Sequence, residues 1–523
     1  MGDLSANRLR LSHLLILALV IRVALFFGGV RGSDAYAYAQ YAYNIAEGRY
    51  DVRTADTQAY YGFRYVVLLP TAAAYALFGA NDWSSALFPL LASLATLVLV
   101  VRLGIAWLDR ETALLAGLLH AFFPLDVINA TLLGPSSFIP VLSAGAMLAF
   151  WQAGRATSAG STRAMLYLTS GICIGMASQA RAVGLLLLGT IVFMTFGVSG
   201  WRARLTALGL VGAGCVLPLA LESVYYWYAT GDPLYRMTAM QSVNEAVSGG
   251  FGPEYDVSWA YYPRAMLGLD LGGFAWFGFF GYLAVGAVGL ALARKELRRV
   301  LPLLLWAVPV FAYLEFGSMS LTRYLPIWKA YTYLSLISVP MVLLGSYGLT
   351  TLCTSARSVG TRVVFQRIGL AVLLAGLAVT SLYGSYRVRQ NIQDDARPYQ
   401  IVANAVQAHP QRIIYVPHER WALFLNYYLG YQTGYRFFQH PRGVGSGRFR
   451  DLWEEADPRE LPMAYVVLHD RYLYFDTSVR SVGRDERLPN YVFNPPASWR
   501  TVVQERAEPA YNSFVLFETD GQR

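Results

Sequence analysis

Asp34 opens the stretch SDAYAYAQYAYNIAEG, directly after the first apolar run of the chain. Read as a helix, Asp34, Tyr38, Tyr41 and Ile45 fall on one face at i, i+4, i+7 and i+11, with Ala35, Ala39, Ala42 and Ala46 beside them. A carboxylate at the head of such a helix can take a proton from a nucleophile. It can equally cap the helix, since Ser and Asp are favoured N-caps, and both readings stay open. Other ionisable residues recur next to apolar runs. They are Arg64, Asp126 in HAFFPLDVINATLLGPSSF, Arg181 in MASQARAVGLLLLG, Glu222, Glu315, and Arg323 with Lys329 in LTRYLPIWKAYTYL. Charges placed inside or bordering a bilayer are costly and usually functional. A lone arginine there can simply anchor a helix end. Several cations at one level suit an anionic headgroup, and arginine matches phosphate with its fixed donor fork.

The elements that must position these residues are membrane helices. Of 523 residues, 55% are hydrophobic and only 14% charged, with a mean hydropathy of +0.37. Soluble domains carry roughly 25% charged residues. Apolar runs predict eleven spans, at 12–30, 83–104, 112–130, 136–152, 164–180, 183–199, 205–223, 273–293, 300–316, 326–348 and 367–386. The first reads as a retained span, because no small-residue cleavage site follows it. With Arg8 and Arg10 inside, every inner loop is basic: Arg102/Arg110, Arg155/Arg163, Arg202/Arg204, the Arg294–Arg299 run and Arg357/Arg362/Arg367. The positive-inside rule therefore sets a cytoplasmic N-terminus and places Asp34, Asp126, Arg181, Glu222, Glu315, Arg323 and Lys329 at the outer surface of a plasma (inner) membrane.

The net charge of +9 is spread over short loops, which argues against nucleic acid as a partner. Cys173, Cys215 and Cys353 lie in or beside spans and imply no disulfide framework. No metal-binding Cys or His spacing, phosphate loop or dinucleotide fingerprint is present, so no protein-built metal site is predicted. Three segments face outward. Residues 31–82 hold the Asp34 helix and an interfacial helix from Tyr65 to Phe78, and residues 223–272 are aromatic and turn-rich. Residues 388–523 have soluble composition, with a helix near 398–408 and strands at 412–417, 464–470, 500–505 and 513–519. The reading is a polytopic α-helical membrane domain, 1–387, carrying a C-terminal extracytoplasmic α/β domain, 388–523. His418, Glu419 and Arg420 read as a solvated loop of that domain.

DAYAYAQYAYNIAEG resembles the D-E-x-x-Y-x-x-x-A pattern of the GT-C glycosyltransferases that use polyprenyl-phosphate sugars, with Asp34, Tyr38 and Ala42 at its aspartate, tyrosine and alanine. YALFGANDWSSALFPLLASLATLVLVVRLG, the Arg181 turn, TGDPLY and LTRYLPIWKAY are similar to stretches of the same proteins. The likeness runs over nearly the whole chain, towards the protein O-mannosyltransferase and lipid A aminoarabinose transferase branch. It implies inverting sugar transfer from a polyprenyl-phosphate donor to a glycan, lipid or protein acceptor. Asp34 would be the base, and Arg181, Arg323 and Lys329 would hold the lipid phosphate. Tyr38, Tyr41, Arg64, Asp126, Glu222 and Tyr324 would line the substrate pocket. Ala35 stands where the family pattern has a second acidic residue, and GPSSF occupies an outer loop where relatives often carry another. No cofactor is implied, and assistance by a divalent cation stays open. A transporter of lipid-linked glycan would show inverted repeats, and the sequence has no clear one. A non-catalytic assembly subunit would tolerate loss of one carboxylate.

Overall fold

The computed structural model describes residues 10–31, 33–53, 59–155, 160–198, 200–241, 260–269, 271–318, 324, 326–327, 329–355, 360–407, 413–416, 419–432, 434–439, 452–456, 464–469, 496–505 and 514–519. The helices begin with α1 (Leu11–Ala24), α2 (Ser33–Ala46), α3 (Ala59–Gly62), α4 (Tyr65–Phe78), α5 (Asp82–Trp107), α6 (Arg110–Phe122) and α7 (Pro124–Asn129). There follow α8 (Phe138–Arg155), α9 (Gly160–Ala180), α10 (Leu186–Thr195) and α11 (Trp201–Thr230). The series ends with α12 (Tyr261–Met266), α13 (Leu271–Phe277), α14 (Phe280–Ala293), α15 (Leu297–Phe316), α16 (Ser338–Ser355) and α17 (Gly360–Val406). Short 3₁₀ turns at Ala182–Leu185 and Tyr331–Ile337 precede α10 and α16.

Each predicted span overlaps helix, but several are not continuous: helix ends at Ala24 within 12–30, and 326–348 is helical only from Tyr331. The 112–130 run splits at Phe123, where Pro124 starts α7, since proline suits a first helical turn and interrupts an interior. The 273–293 run divides at Gly278, whose φ of +53° no regular helix accommodates. Among the described residues, five helices are long and apolar enough to cross a bilayer, including α5, α11 and α15. Helix ends are fixed locally. Asn81 caps α5, its side chain accepting from the amides of Trp83 and Ser84 at 3.0 Å, and Asp109 caps α6 through Thr112 at 2.9 Å.

Helices α9 and α11 meet backbone to backbone. A methyl group on Gly171 would lie 2.0 Å from the Val211 carbonyl, and one on Gly214 would lie 2.2 Å from that of Leu168. Small residues permit such approach where lipid supplies no hydrophobic drive between helices.

Helix α17 runs unbroken for 47 residues, about 70 Å at 1.5 Å per residue, so the expected span and the helix near 398–408 are one element. Beyond it come β1 (Ile413–Tyr415), α18 (Glu419–Tyr428), β2 (Arg436–Gln439), β3 (Trp453–Glu455), β4 (Ala464–His469), β5 (Arg500–Glu505) and β6 (Phe514–Glu518). They form one mixed sheet in the order β3-β2-β1-β4-β6-β5, parallel from β3 to β4 and antiparallel across β6 and β5. Ala464–Leu468 in β4 are buried without alternation, as a central strand covered on both faces requires. Glu419 and Arg420 open a helix rather than a loop, while His418 lies outside the described residues.

The sheet module does not stand apart from the N-terminal part of the chain. Its core is continuous with α2 and α4: Tyr36, Tyr38, Val67 and Tyr75 are buried in the same apolar cluster as Trp421, Phe424, Val467 and Leu516. Tyr36 packs on Phe424 with ring centroids 4.1 Å apart and bonds the Tyr428 hydroxyl at 2.7 Å. Gln40 accepts from Asn426 at 2.9 Å, and Tyr43 stacks on Tyr431 at 4.0 Å and 10°. Positions 36, 40 and 43 form one helical stripe, so α2 docks its second face on α18 and the turn after it.

Candidate functional site

Asp34 sits in the first turn of α2, exposed, and accepts a hydrogen bond from the Tyr61 hydroxyl at 2.7 Å. Tyr61 comes from α3 and meets Tyr38, one turn along α2 from Asp34, edge to face at 5.4 Å. Arg64, just before α4, donates to the Tyr38 hydroxyl. Its guanidinium lies 5.4 Å from the Tyr38 ring centre and 5.7 Å from that of Tyr61. Two tyrosines and one arginine thus frame one carboxylate. Tyr41 is also buried, edge-on to Tyr50 at 5.9 Å.

Arg181 reaches the same place from the turn between α9 and the 3₁₀ segment. It lies within Coulombic range of Tyr333, Arg64, Tyr38 and Asp34. Nη2 donates to Ser136 at 3.3 Å and Thr332 at 3.2 Å, and the guanidinium rests 4.5 Å from the centre of the Tyr333 ring. Nε and Nη1 are buried with no hydrogen-bond partner among the described residues. An unmet buried donor costs about 1–3 kcal/mol, more when charged, and such groups are rare in folded proteins. A second arginine nearby adds repulsion. The combination of two cations, open donors and one carboxylate is what an anionic ligand bearing a leaving group would complete.

Other residues expected at the site are engaged elsewhere. Asp126 is buried and pairs with Arg22 of α1, accepting also from Ser93 at 2.6 Å, so it belongs to the helix core rather than a substrate pocket. Glu222 is likewise consumed. It takes both 3.0–3.1 Å bonds from Arg236 Nη1, one from Gln179 at 3.1 Å and one from Tyr226. Lys329 is not grouped with Arg181 through any direct bond among the described residues. Its ammonium donates to the carbonyls of Leu314 at 2.7 Å and Glu315 at 2.5 Å and lies 3.7 Å from the Glu315 carboxylate. That carboxylate in turn accepts the Tyr261 and Tyr262 amides at 3.1 and 3.0 Å, capping α12. Tyr324 is exposed. Arg323 lies outside the described residues. Among the described residues no three His, Cys, Asp or Glu side chains are grouped to hold a metal ion.

The sequence reading missed Ser136, Thr332 and Tyr333. Ser136 lies in the GPSSF loop noted only for lacking an acidic residue, and Tyr333 lies in the LTRYLPIWKAYTYL stretch already singled out.

No family model and no curated protein matches the sequence. Solved structures do resemble the chain. ArnT from Cupriavidus metallidurans in the apo state superposes with a TM-score of 0.61 over 97% of both chains at 16% identity. The same protein bound to undecaprenyl phosphate gives 0.60, again over 97% of each, at 15% identity. The Archaeoglobus fulgidus oligosaccharyltransferase, tethered with an acceptor peptide, gives 0.53 at 13% identity, over 80% of this chain and 63% of its own. The chain has the GT-C fold. In this fold α2, the turn after α9 and the 3₁₀ segment before α16 converge although they lie far apart in sequence. Asp34, Arg64, Arg181 and Tyr333 come from four separate segments, and only the fold assembles them.

Proposed function

We propose that this protein is a membrane glycosyltransferase that moves a sugar from a polyprenyl-phosphate donor to an acceptor at the outer face of the plasma membrane. The observation that carries this reading is the pair of unmet buried donors on Arg181 beside Arg64 and the Asp34 carboxylate. The likeness to ArnT bound to undecaprenyl phosphate, and to an archaeal oligosaccharyltransferase in complex with a dolichol-phosphate, supports the donor class.

In the reaction, an acceptor hydroxyl or amine attacks the anomeric carbon as the bond from that carbon to the phosphate oxygen breaks. The bonding pair leaves with the polyprenyl phosphate, and the acceptor proton passes to Asp34, giving inversion in one displacement. Tyr61 orients the carboxylate through its hydrogen bond. Arg181 meets the charge growing on the leaving phosphate, with Arg323 in the same role on the strength of the family pattern. Arg64 and Tyr38 form the wall between base and phosphate. In this scheme the membrane domain spans 1–387 with its N-terminus cytoplasmic. The 388–523 domain is extracytoplasmic, where its docking on α2 sets it beside the acceptor's approach.

The test is reconstitution of the purified protein in vesicles with a synthetic undecaprenyl-phosphate sugar on the outer leaflet. Acceptor-dependent release of undecaprenyl phosphate is expected. Movement of the intact lipid-linked sugar between leaflets, with no release under any acceptor mixture, would establish the transporter reading instead.

A further inference from the structure

The buried pair Arg22–Asp126 is not used by the reaction, yet it lies at the root of both loops that carry the site. Arg22 is fully buried on α1 and pairs with Asp126 on α7. Its Nε donates to Ser93 of α5 at 2.5 Å, and Nη1 donates to the Ala18 and Ala121 carbonyls at 3.1 and 3.4 Å. Ser93 in turn donates to Asp126 at 2.6 Å, so one ion pair ties three helices and the end of α6. Immediately beyond, the two loops are laced together. The Phe27 amide donates to the Thr131 hydroxyl and the Gly29 amide to the Thr131 carbonyl, both at 3.0 Å, while the Leu133 amide donates to the Gly29 carbonyl at 2.7 Å. Gly29 has φ +63°, and a Cβ there would lie 2.2 Å from the Asp82 carbonyl, so this lacing needs glycine. Arg389 of α17 donates to the Phe26 carbonyl at 2.8 Å, holding the first loop from another side.

From the lacing, the first strand of chain runs five residues from Gly29 to Asp34. The second runs three residues from Leu133 to Ser136, which accepts from Arg181. Both the carboxylate and one support of the arginine are therefore rooted in one clamp. We propose that Arg22 and Asp126 are positioning residues that hold the Asp34 loop and the Ser136 loop in register, fixing the spacing of base and phosphate binder. An apolar pair of similar volume would serve stability as well or better, so burying two charges here has its return in geometry. The effect on transfer rests on the function proposed above; the effect on the loops does not.

The experiment compares the full-length protein with the double variant Arg22→Met/Asp126→Leu, which removes both charges together and leaves neither stranded. Hydrogen exchange should quicken in peptides covering 25–34 and 128–137, and stay unchanged in α9 and α11. Arg181 keeps Thr332 and Tyr333, so KM for a synthetic undecaprenyl-phosphate sugar should hold while kcat falls about 10²-fold, as misplacement by an ångström can cause. Arg22→Lys, which keeps the charge but loses the fork, should show a smaller change in the same two peptides and recover part of the kcat. It also serves if the double variant does not fold. Unchanged exchange in both loops would overturn the proposal, as would a fall in kcat and KM without a change in those peptides. If the wild-type protein transfers no sugar, the function is wrong, and the exchange comparison still decides the clamp.

Discussion

Arg181 directly follows α9 and Glu222 lies inside the adjoining helix α11, and their surroundings differ in kind. Glu222 has its acceptor sites filled by Arg236, Gln179 and Tyr226, and Arg236 is further held by the Ser178 carbonyl at 3.1 Å. Arg181 has one nitrogen bonded and two buried nitrogens without partners among the described residues. The first arrangement is complete within the protein and ties its helix to the Arg236 segment. The second is unfinished and has capacity for a ligand. Glu315 with Lys329, and Asp126 with Arg22, fall on the finished side. Asp34, exposed and accepting from Tyr61, lies within Coulombic range of Arg181. The outer-boundary position expected for all of these does not distinguish them; the state of their hydrogen bonds sets Arg181 apart from the paired groups.

The sharpest way to break this comparison is at Asp34. Asn at position 34 keeps the size and most of the capping ability, so stability should hardly change. It lacks the charge that draws the acceptor proton, and general-base assistance is worth roughly 10²–10⁴-fold, so transfer should fall into that range with donor binding retained. Single-turnover transfer and donor titration on the same preparation measure both. A folded Asp34→Asn protein with normal transfer would return Asp34 to the role of a cap.

Glu222→Ala tests the finished side. Removing one partner of a buried pair leaves Arg236 uncompensated, which costs about 3–5 kcal/mol. Thermal unfolding in detergent should show that loss, while the transfer rate per folded molecule stays close to wild type. A stable Glu222→Ala protein without transfer would move Glu222 into the pocket and collapse the distinction.

Arg181→Ala should do the opposite. Hydrogen bonds to charged groups are worth about 1.5–3 kcal/mol, so donor affinity should drop roughly tenfold to hundredfold. Stability should hold or rise, because two unmet buried donors and a repulsion with Arg64 disappear. A marked loss of stability with unchanged donor affinity would make Arg181 another strut.

Much of this was legible from the chain, for identifiable reasons. Apolar length places the helices, and Asp34, Arg64 and Arg181 stand out because each borders such a run. What the chain does not display is pairing across distance. Asp126 meets Arg22 from 104 residues away, and nothing local to HAFFPLDVINATLLG marks it as already satisfied. Arg236 follows Glu222 by 14 residues, in a segment that reads as an aromatic loop. Strands β2 and β3, of four and three residues, are too short for alternation to register. The composition change at 387/388 does not coincide with an element boundary, because α17 continues through it to Val406. The second face of α2 was open to reading, since Tyr36, Gln40 and Tyr43 repeat at i, i+4 and i+7. It was masked by the Asp34 face, which carries the chemistry.

That second face gives the mildest test. Tyr43 stacks on Tyr431 at 4.0 Å with nearly parallel rings, and Arg49 lies 5.5 Å from the centre of the Tyr43 ring on the rim of the contact. Leu at position 43 keeps apolar bulk but loses the aromatic geometry, a change worth about 0.5–1.5 kcal/mol. Tyr36 with Tyr428 and Gln40 with Asn426 remain to hold the module on α2. Limited proteolysis should therefore release the C-terminal module slightly faster in Tyr43→Leu, and sugar transfer should stay near wild type. If transfer instead fell as far as in Asp34→Asn, the two faces of α2 would not be separable. The docking of the sheet module would then be part of what holds the base in place, and α2 would have to be treated as one rigid unit from Asp34 to Tyr43.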